Sequence, residues 1–214
     1  MGRWLLVRHG ESTWNRERRL QGQQDPPLSE EGRRQAHALR LRLAPLPFSQ
    51  AYASDLQRCA ETARILLEGR STPLTLTPAL REFRFGPWEG KLYDTLAQED
   101  PHRFRLFLAG DPAFDPPPGG ETRQEVLQRV HAFIAQALER HPGQDILIVS
   151  HGGCLRALVV ALLGLPVQVL WRFRLAPASL SIVEVGGQGA LLVAWNDASH
   201  YLNGALPRTG GPAV

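Results

Sequence analysis

Two histidines stand in matching local contexts, and they are the residues best suited to carry chemistry. His9 and His151 each follow a short aliphatic-rich run and precede a glycine. Such a run predicts a buried parallel strand, and ligands bind at the carboxyl ends of these strands in an open sheet. We therefore expect the two imidazoles to face each other at one sheet edge, although 142 positions separate them in the sequence.

Two arginines could supply an anion pocket beside these histidines. Arg8 directly precedes the first histidine, and Arg58 lies one turn into a helix predicted to begin after Ser54. A helix N-terminus offers free amides and a positive end, so an arginine there favours a phosphate-sized anion. A surface ion pair of Arg58 with Glu61 or Asp55 is the simpler alternative for that residue.

Glu82 follows a predicted strand and lies among aromatic residues. A carboxyl group in such a place could act as an acid near the histidines. The alternative is a solvated carboxylate paired with Arg81 or Arg84. Glu89 is a second carboxylate in the same segment, and we do not assign it the role of the acid.

Alternating strand and helix patterns predict the fold that must position these residues. We expect an α/β three-layer sandwich, with a mostly parallel central sheet flanked by helices. The predicted strands are residues 4–7, 50–53, 73–77 and 146–150, with an antiparallel hairpin of residues 179–185 and 190–195 on the sheet edge. The predicted helices run from a Ser29 cap to about residue 43, from a Ser54–Gln57 capping box to Gly69, from a Thr122–Glu125 capping box onward, and over residues 154–163.

The pattern breaks down between about residues 93 and 120. Aromatic and leucine residues there are followed by a proline run, 116–118, which excludes helix and central strand. We predict a small cap insertion with loop behaviour over the C-terminal strand edge, within a single domain of residues 1–203. Residues 204–214 are expected to form a disordered tail.

Composition limits the possible partners and location. The chain has 214 residues, 24 basic against 21 acidic, and a net charge of +3; Lys91 is its only lysine. The arginines are interleaved with acids, so we expect no nucleic-acid partner. No apolar run approaches the length of a membrane span or a signal-peptide core, and we expect a cytoplasmic protein without membrane association. Cys59 and Cys154 lack metal-ligand spacing and are expected to be buried, reduced thiols.

These motifs, taken in order, resemble the signature of the histidine phosphatase superfamily, in its phosphoglycerate mutase-like branch. The resemblance covers about residues 4 to 200. The matching segments are Arg8-His9-Gly10-Glu11-Ser12-x-x-Asn15, Gln21-Gly22-x-x-Asp25-x-x-Leu28-Ser29-x-x-Gly32, Ser54-Asp55-Leu56-x-Arg58-Cys59-x-x-Thr62-Ala63, Glu82-x-x-x-Gly86-x-Trp88-Glu89-Gly90, Gly119-Gly120-Glu121-Thr122 and Val149-Ser150-His151-Gly152-Gly153.

The resemblance implies a role for each matching residue. His9 would be the nucleophile that takes the phosphoryl group, and Glu82 would protonate the leaving alcohol and then activate water. The phosphoryl oxygens would be held by Arg8, Arg58 and His151, with Asn15, Ser12, Gln21, Gly22 and the Gly152 amide nearby. Such a site needs no metal and no cofactor, because arginines, histidines and amide dipoles neutralise the charge.

The resemblance leaves three activities open. A metal-independent phosphatase acting on a small-molecule phosphate monoester is favoured, because the 93–120 segment is short, proline-rich and apolar. A cofactor-dependent phosphoglycerate mutase is the alternative, and it is supported by the basic residues Arg81, Arg84, Arg103 and Arg105. A non-catalytic binding module of the same fold is the second alternative.

The substrate is also open. The family includes phosphatases for phosphoserine, sugar phosphates, phosphoglycerates and ribazole phosphate, and aromatic residues of the insertion suggest a pocket tolerant of apolar esters. The edge of the terminal hairpin could also pair two chains into a homodimer.

Overall fold

One six-stranded sheet organises the computed structural model, which describes residues 1–187 and 189–202. The strands are β1 (Gly2–Arg8), β2 (Gln50–Ser54), β3 (Leu74–Thr77), β4 (Ile146–Ser150), β5 (Leu180–Gly186) and β6 (Gly189–Asp197). Their order is β3-β2-β4-β1-β5-β6. The first four strands are parallel, whereas β5 runs antiparallel to β1 and pairs with β6. The predicted mostly parallel sheet with an antiparallel hairpin at its edge is confirmed.

Helices connect these strands. They are α1 (Thr13–Glu17), α2 (Glu30–Leu43), α3 (Gln57–Leu67), α4 (Tyr93–Glu99), α5 (Pro101–Ala109), α6 (Arg123–Arg140), α7 (Gly152–Leu162) and α8 (Ser199–Leu202). The predicted Ser29 cap of α2 and the Thr122–Glu125 capping box of α6 are both present. Across the described ranges, we find no helix with the length and apolar character that a membrane crossing requires.

Side chains of the central strand β1 contribute to two separate hydrophobic cores. Its side chains alternate, as strand geometry requires: Leu5 and Val7 pack in one apolar cluster with residues of α2 and α3. Trp4 and Leu6 pack in the other, with residues of α6 and α7. Helices therefore cover both faces of the sheet, which gives the three layers expected from the sequence.

The predicted Ser54–Gln57 capping box is wrong. Helix α3 begins at Gln57, and its N-cap is Leu56, whose side chain makes no capping hydrogen bond. The Ser54 hydroxyl accepts a hydrogen bond from the Leu56 amide at 3.3 Å and also meets a histidine described below. Ser54 is thus drawn towards the end of the sheet, which outweighs its ordinary preference for a helix cap.

The expectation of loop behaviour in residues 93–120 is also wrong for its first half, which forms α4 and α5. These helices have seven and nine residues, lengths at which isolated helices are marginal in water. Packing supports them: Phe104 and Phe107 are each 3% exposed, and both rings contact Trp88. Pro101 occupies the first turn of α5, where its missing amide hydrogen costs nothing.

The proline run 116–118 lies outside any helix or strand, as predicted. The tail prediction for residues 204–214 falls outside the described residues.

Candidate active site

The sheet topology brings the two predicted histidines together. Strands β1 and β4 are parallel neighbours, with Arg8 paired to Ser150 in register, so the next residue of each strand leaves the same sheet edge. The rings of His9 and His151 meet edge to face, with centroids 5.1 Å apart. The expected juxtaposition is therefore present in the structure.

The His9 ring is held as a neutral imidazole with one nitrogen left for chemistry. It is 2% exposed, and its Nδ1 lies 2.7 Å from the carbonyl oxygen of Gly10. Because a carbonyl oxygen can only accept, Nδ1 carries the hydrogen and Nε2 keeps its lone pair. Burial, together with the charges of Arg58 and Arg8, holds the pKa of His9 well below its usual value. Nε2 can therefore act as a nucleophile.

The His151 ring is fixed by two side chains from β2 and α3. Its Nε2 lies 2.9 Å from the Ser54 hydroxyl oxygen and 3.3 Å from Cys59 Sγ. The ring is fully buried, and burial with the nearby charge of Arg58 lowers the pKa of His151 well below its usual value. Cys59 is a free, buried thiol, as is Cys154, and both match the expectation for the cysteines.

Arg58 is a fully buried cation held by carbonyl groups. Its Nη1 donates to the carbonyl oxygen of Gln24 at 2.7 Å, and its Nη2 donates to that of Gly22 at 2.8 Å. The Asp25 carboxylate remains 4.0 Å from Nη1. Among the described residues, the buried Nε has no hydrogen-bond partner. Carbonyl dipoles thus fix the guanidinium in place without neutralising its charge, which leaves that charge for a ligand.

Two further buried arginines, Arg8 and Arg156, extend this positive region. Arg8 donates from Nη1 to the carbonyl oxygen of Leu175 at 2.6 Å, and Arg156 donates from Nε to that of Phe173 at 2.6 Å. The Arg156 guanidinium also lies 5.1 Å from the centroid of the Trp171 ring. Burial, with the nearby charge of Arg8, lowers the pKa of Arg156 to about 9. Arg156 is therefore a third buried arginine of this region, in addition to the predicted Arg8 and Arg58.

Glu82 is fixed at the N-terminus of α7 and is 7% exposed. Its Oε2 accepts from the Gly153 amide at 3.0 Å, while Oε1 accepts from the amides of Phe83 and Cys154 at 2.9 and 3.2 Å. A β-carbon at position 153 would clash with Oε1, so only glycine allows this approach. The helix end thus sets the position of the carboxylate.

The partners that the alternative interpretation gives to Arg58 and Glu82 bond to other groups. The candidate partners are engaged elsewhere: Glu61 with Arg33, Asp55 with Arg81, and Arg84 with the carbonyl oxygen of Gly119. The simpler interpretation of Arg58 and Glu82 as surface ion pairs is therefore wrong.

These side chains surround one cleft. It is lined by Arg8, His9, Leu20, Gln21, Gly22, Arg58, Glu82, Phe85, Tyr93 and His151. Three predicted ligand-binding residues, Ser12, Asn15 and Gly152, are not among the lining residues. Ser12 and Asn15 form the capping box of α1, and the Ser12 hydroxyl donates to Gln21 Oε1 at 2.7 Å. Gly152 begins α7 beside the Arg8 guanidinium. Their contact with a phosphoryl group stays a prediction.

Three residues of this region, Ser54, Arg156 and Tyr93, are not predicted from the sequence as part of the site. The sequence predicts Ser54 as a helix cap. Arg156 carried a usable signal, because it is a charged residue within a helix that is otherwise apolar nearly all round. Tyr93, at the start of α4, had no such signal; burial raises its pKa to about 12, so its hydroxyl is a neutral donor at physiological pH.

The buried histidines predict a pH-dependent stability. The folded protein holds the pKa of His9 and His151 below 6.5, so only the unfolded chain takes up these protons as the pH falls below about 6.5. The free energy of unfolding should therefore decrease between pH 6.5 and 5.5, by up to about 1.4 kcal/mol per pH unit for each histidine. Urea denaturation of the ligand-free protein at pH 7.5, 6.5 and 5.5 measures this.

A His151→Asn variant is the matched control, because it removes one of the two site histidines, whereas His200, whose pKa burial also lowers, stays in place. Its free energy of unfolding should lose at most about half of the pH slope. A stability that stays constant from pH 6.5 to 5.5 in the wild-type protein would contradict the electrostatic account of the site.

Comparisons with known proteins agree with this geometry. The family model of the histidine phosphatase superfamily (branch 1) matches residues 4–198. A protein of Cronobacter sakazakii named probable phosphoglycerate mutase GpmB is 40% identical over 200 residues, covering 91% of this chain and 93% of the relative.

Two solved structures have the same fold. The alpha-ribazole phosphatase from Shigella flexneri superposes with a TM-score of 0.83 at 34% identity, covering 92% of this chain and 96% of that one. A mycobacterial glucosyl-3-phosphoglycerate phosphatase in complex with vanadate gives a TM-score of 0.84 at 32% identity, covering 92% and 99%. The family match over almost the whole length, together with the paired histidines, shows that this chain belongs to the histidine phosphatase superfamily.

Proposed function

We propose that this protein is a phosphatase that hydrolyses small-molecule phosphate monoesters through a phosphohistidine on His9. The observation that carries the proposal is the neutral His9 ring, whose Nε2 is available beside the buried Arg58 cation. The names of the two solved phosphatases of similar fold support it.

The first step transfers the phosphoryl group to the protein. Nε2 of His9 attacks phosphorus, a P–N bond forms, and the P–O bond to the alcohol breaks. Glu82 gives a proton to the leaving oxygen, so a neutral alcohol departs. Arg8 and Arg58 stabilise the negative charge on the phosphoryl oxygens, and their fixed positions avoid reorganisation during the reaction.

The second step releases orthophosphate. Glu82, now ionised, takes a proton from water, whose oxygen attacks phosphorus while the P–N bond breaks. Two displacements thus replace one difficult reaction. Both histidines are unprotonated before substrate binds, which matches their lowered pKa values.

The mutase alternative is supported by the name of the Cronobacter relative, but the cap residues favour the phosphatase. Of the four arginines that the mutase alternative uses, Arg81 makes two hydrogen bonds to Asp55 and Arg103 pairs with Asp100, so the charges of these two are already matched. Arg84 donates to the carbonyl oxygen of Gly119, so Arg84 and Arg105 still support the alternative.

The leaving alcohol is expected to lie against Leu20, Phe85 and Tyr93, the apolar and aromatic residues of the cleft. The aromatic residues proposed from the sequence for this purpose are differently placed. Phe104 and Phe107 are buried in the core, so they support the cap rather than offer an open apolar pocket. The preference for apolar esters stays a prediction with a smaller structural basis.

Product analysis separates the candidate activities. Purified protein is incubated with 3-phosphoglycerate, with and without the bisphosphate cofactor of the mutases, and with phosphoserine, a sugar phosphate, ribazole phosphate and p-nitrophenyl phosphate. Release of orthophosphate without 2-phosphoglycerate supports the phosphatase, and 2-phosphoglycerate formation supports the mutase. Binding of orthophosphate without turnover of any ester would indicate the non-catalytic module.

The predicted homodimer and cytoplasmic location remain proposals. Strand β6 forms one edge of the sheet, and Leu191 and Val193 on it are 58% and 53% exposed. Light scattering would measure the molar mass in solution, and a monomer at every concentration would exclude the dimer.

A further inference from the structure

Glu89, the second carboxylate of the segment that contains Glu82, lies at the junction of two loops beside the cleft. Its Oε1 accepts from the backbone amides of Gln23 and Phe85 at 3.0 and 2.8 Å. Its Oε2 accepts from the Gln24 side-chain nitrogen at 3.3 Å. Glu89 therefore ties the turn at residues 22–24 to the loop that carries Glu82.

The same turn holds Arg58. The carbonyl oxygens of Gly22 and Gln24 accept from the two terminal nitrogens of Arg58, and the amide between them, that of Gln23, is bound by Glu89. Gly22 has a φ of +52°, and a β-carbon there would clash with Glu89 Oε1. The turn is thus packed directly against the carboxylate, which bonds the backbone between the two carbonyl groups that hold Arg58.

We propose that Glu89 is a positioning residue for Arg58, acting through the 22–24 turn; this inference rests on the proposed function only in taking the ligand to be a phosphoryl group. A carboxylate in direct contact with Arg58 would offset its charge. Glu89 instead contacts the backbone of the 22–24 turn and so fixes the carbonyl oxygens of Gly22 and Gln24 that hold Arg58. Arg58 therefore keeps its charge for the ligand.

This arrangement predicts which measured quantity should change. Arg58 binds the phosphoryl group, which is common to every substrate. Misplacing Arg58 should therefore weaken the binding of all phosphoryl ligands by a similar factor. A disturbed Glu82 would instead harm mainly esters with poor leaving groups. Orthophosphate affinity and leaving-group dependence therefore distinguish the two effects.

The experiment compares Glu89→Ala and Glu89→Gln with the wild-type protein. Titration calorimetry with orthophosphate should show a Kd about tenfold higher for Glu89→Ala, since amide hydrogen bonds to a charged acceptor are lost. Its kcat/KM should fall by a similar factor for p-nitrophenyl phosphate and for an alkyl phosphate. Glu89→Gln retains an acceptor oxygen and should stay within about threefold of wild type.

Glu121→Ala is the matched control. Glu121 also accepts from the Arg84 backbone amide in the loop that carries Glu82, and from the side chains of Gln23 and Arg129. Among the described residues, it makes no hydrogen bond to the backbone of the 22–24 turn. Its orthophosphate Kd should remain within about twofold of wild type. Should the Glu121→Ala Kd rise as much as that of Glu89→Ala, or the Glu89→Ala Kd equal the wild-type value, the proposal is overturned.

A second route keeps the test decisive if Glu89→Ala does not fold. Gly22→Ala should push the same turn away from Glu89 and raise the Kd for orthophosphate by a comparable factor. In the Gly22→Ala/Glu89→Gln double variant, the increase in Kd should be smaller than the product of the two single increases. Independent, multiplicative losses would contradict the coupling. A wild-type protein that binds no orthophosphate and hydrolyses no ester would instead contradict the proposed function itself.

Discussion

Replacing His9 with alanine should lower kcat/KM for p-nitrophenyl phosphate by about 10⁴-fold or more. The variant loses the only protein atom proposed to form a bond to phosphorus, whereas the arginines around it remain. Orthophosphate binding should therefore survive in His9→Ala, because Arg8 and Arg58 keep their positions. Stopped assays with the malachite green reagent measure the activity, and calorimetry measures the binding.

His131→Ala is the matched control, since His131 is an exposed histidine on α6 and its loss should leave kcat/KM unchanged. The wild-type protein, quenched rapidly in base, should also yield a phosphoprotein that is stable in alkali and hydrolysed by acid. Full activity in His9→Ala would show that another residue attacks phosphorus.

Glu82→Gln should give a loss that depends on the alcohol being released. For an alkyl phosphate, the leaving oxygen needs a proton, so kcat/KM should fall by about 10³-fold. For p-nitrophenyl phosphate, the leaving phenolate is stable without one, so kcat/KM should fall by about tenfold or less. This parameter covers steps up to the first irreversible one and so excludes the later attack of water.

Glu139→Gln, which alters an exposed carboxylate on α6, should leave both esters unaffected. Equal losses for alkyl and aryl esters in Glu82→Gln would mean that Glu82 is needed for binding or folding rather than as the proton donor.

The catalytic edge could be predicted because its signals are local. The aliphatic runs before His9 and His151 mark strands buried on both faces, and strand ends in a parallel sheet share one edge. The capping residues Ser29 and Thr122 likewise act within one helical turn. In these places, neighbouring residues alone determine the local structure.

Other features depend on contacts distant in the chain. Ser54 has a helix-capping side chain, but its hydroxyl meets His151, 97 residues away. The helices α4 and α5 depend on packing of Phe104 and Phe107 against Trp88, which no local pattern encodes. Glu82 could be picked out by its motif, but its three amide donors could not, because two of them come from α7.

The order of strands in the sheet also affects how the chain folds during its synthesis on the ribosome. Strand β1 is made first, yet its two neighbours, β4 and β5, begin at Ile146 and Leu180. During synthesis, the backbone hydrogen-bonding groups of β1 therefore lack a partner strand until most of the chain is complete, and an unpaired strand is prone to aggregation. The nucleophile at its end is thus assembled late, and a nascent chain shorter than about residue 150 cannot hold both imidazoles.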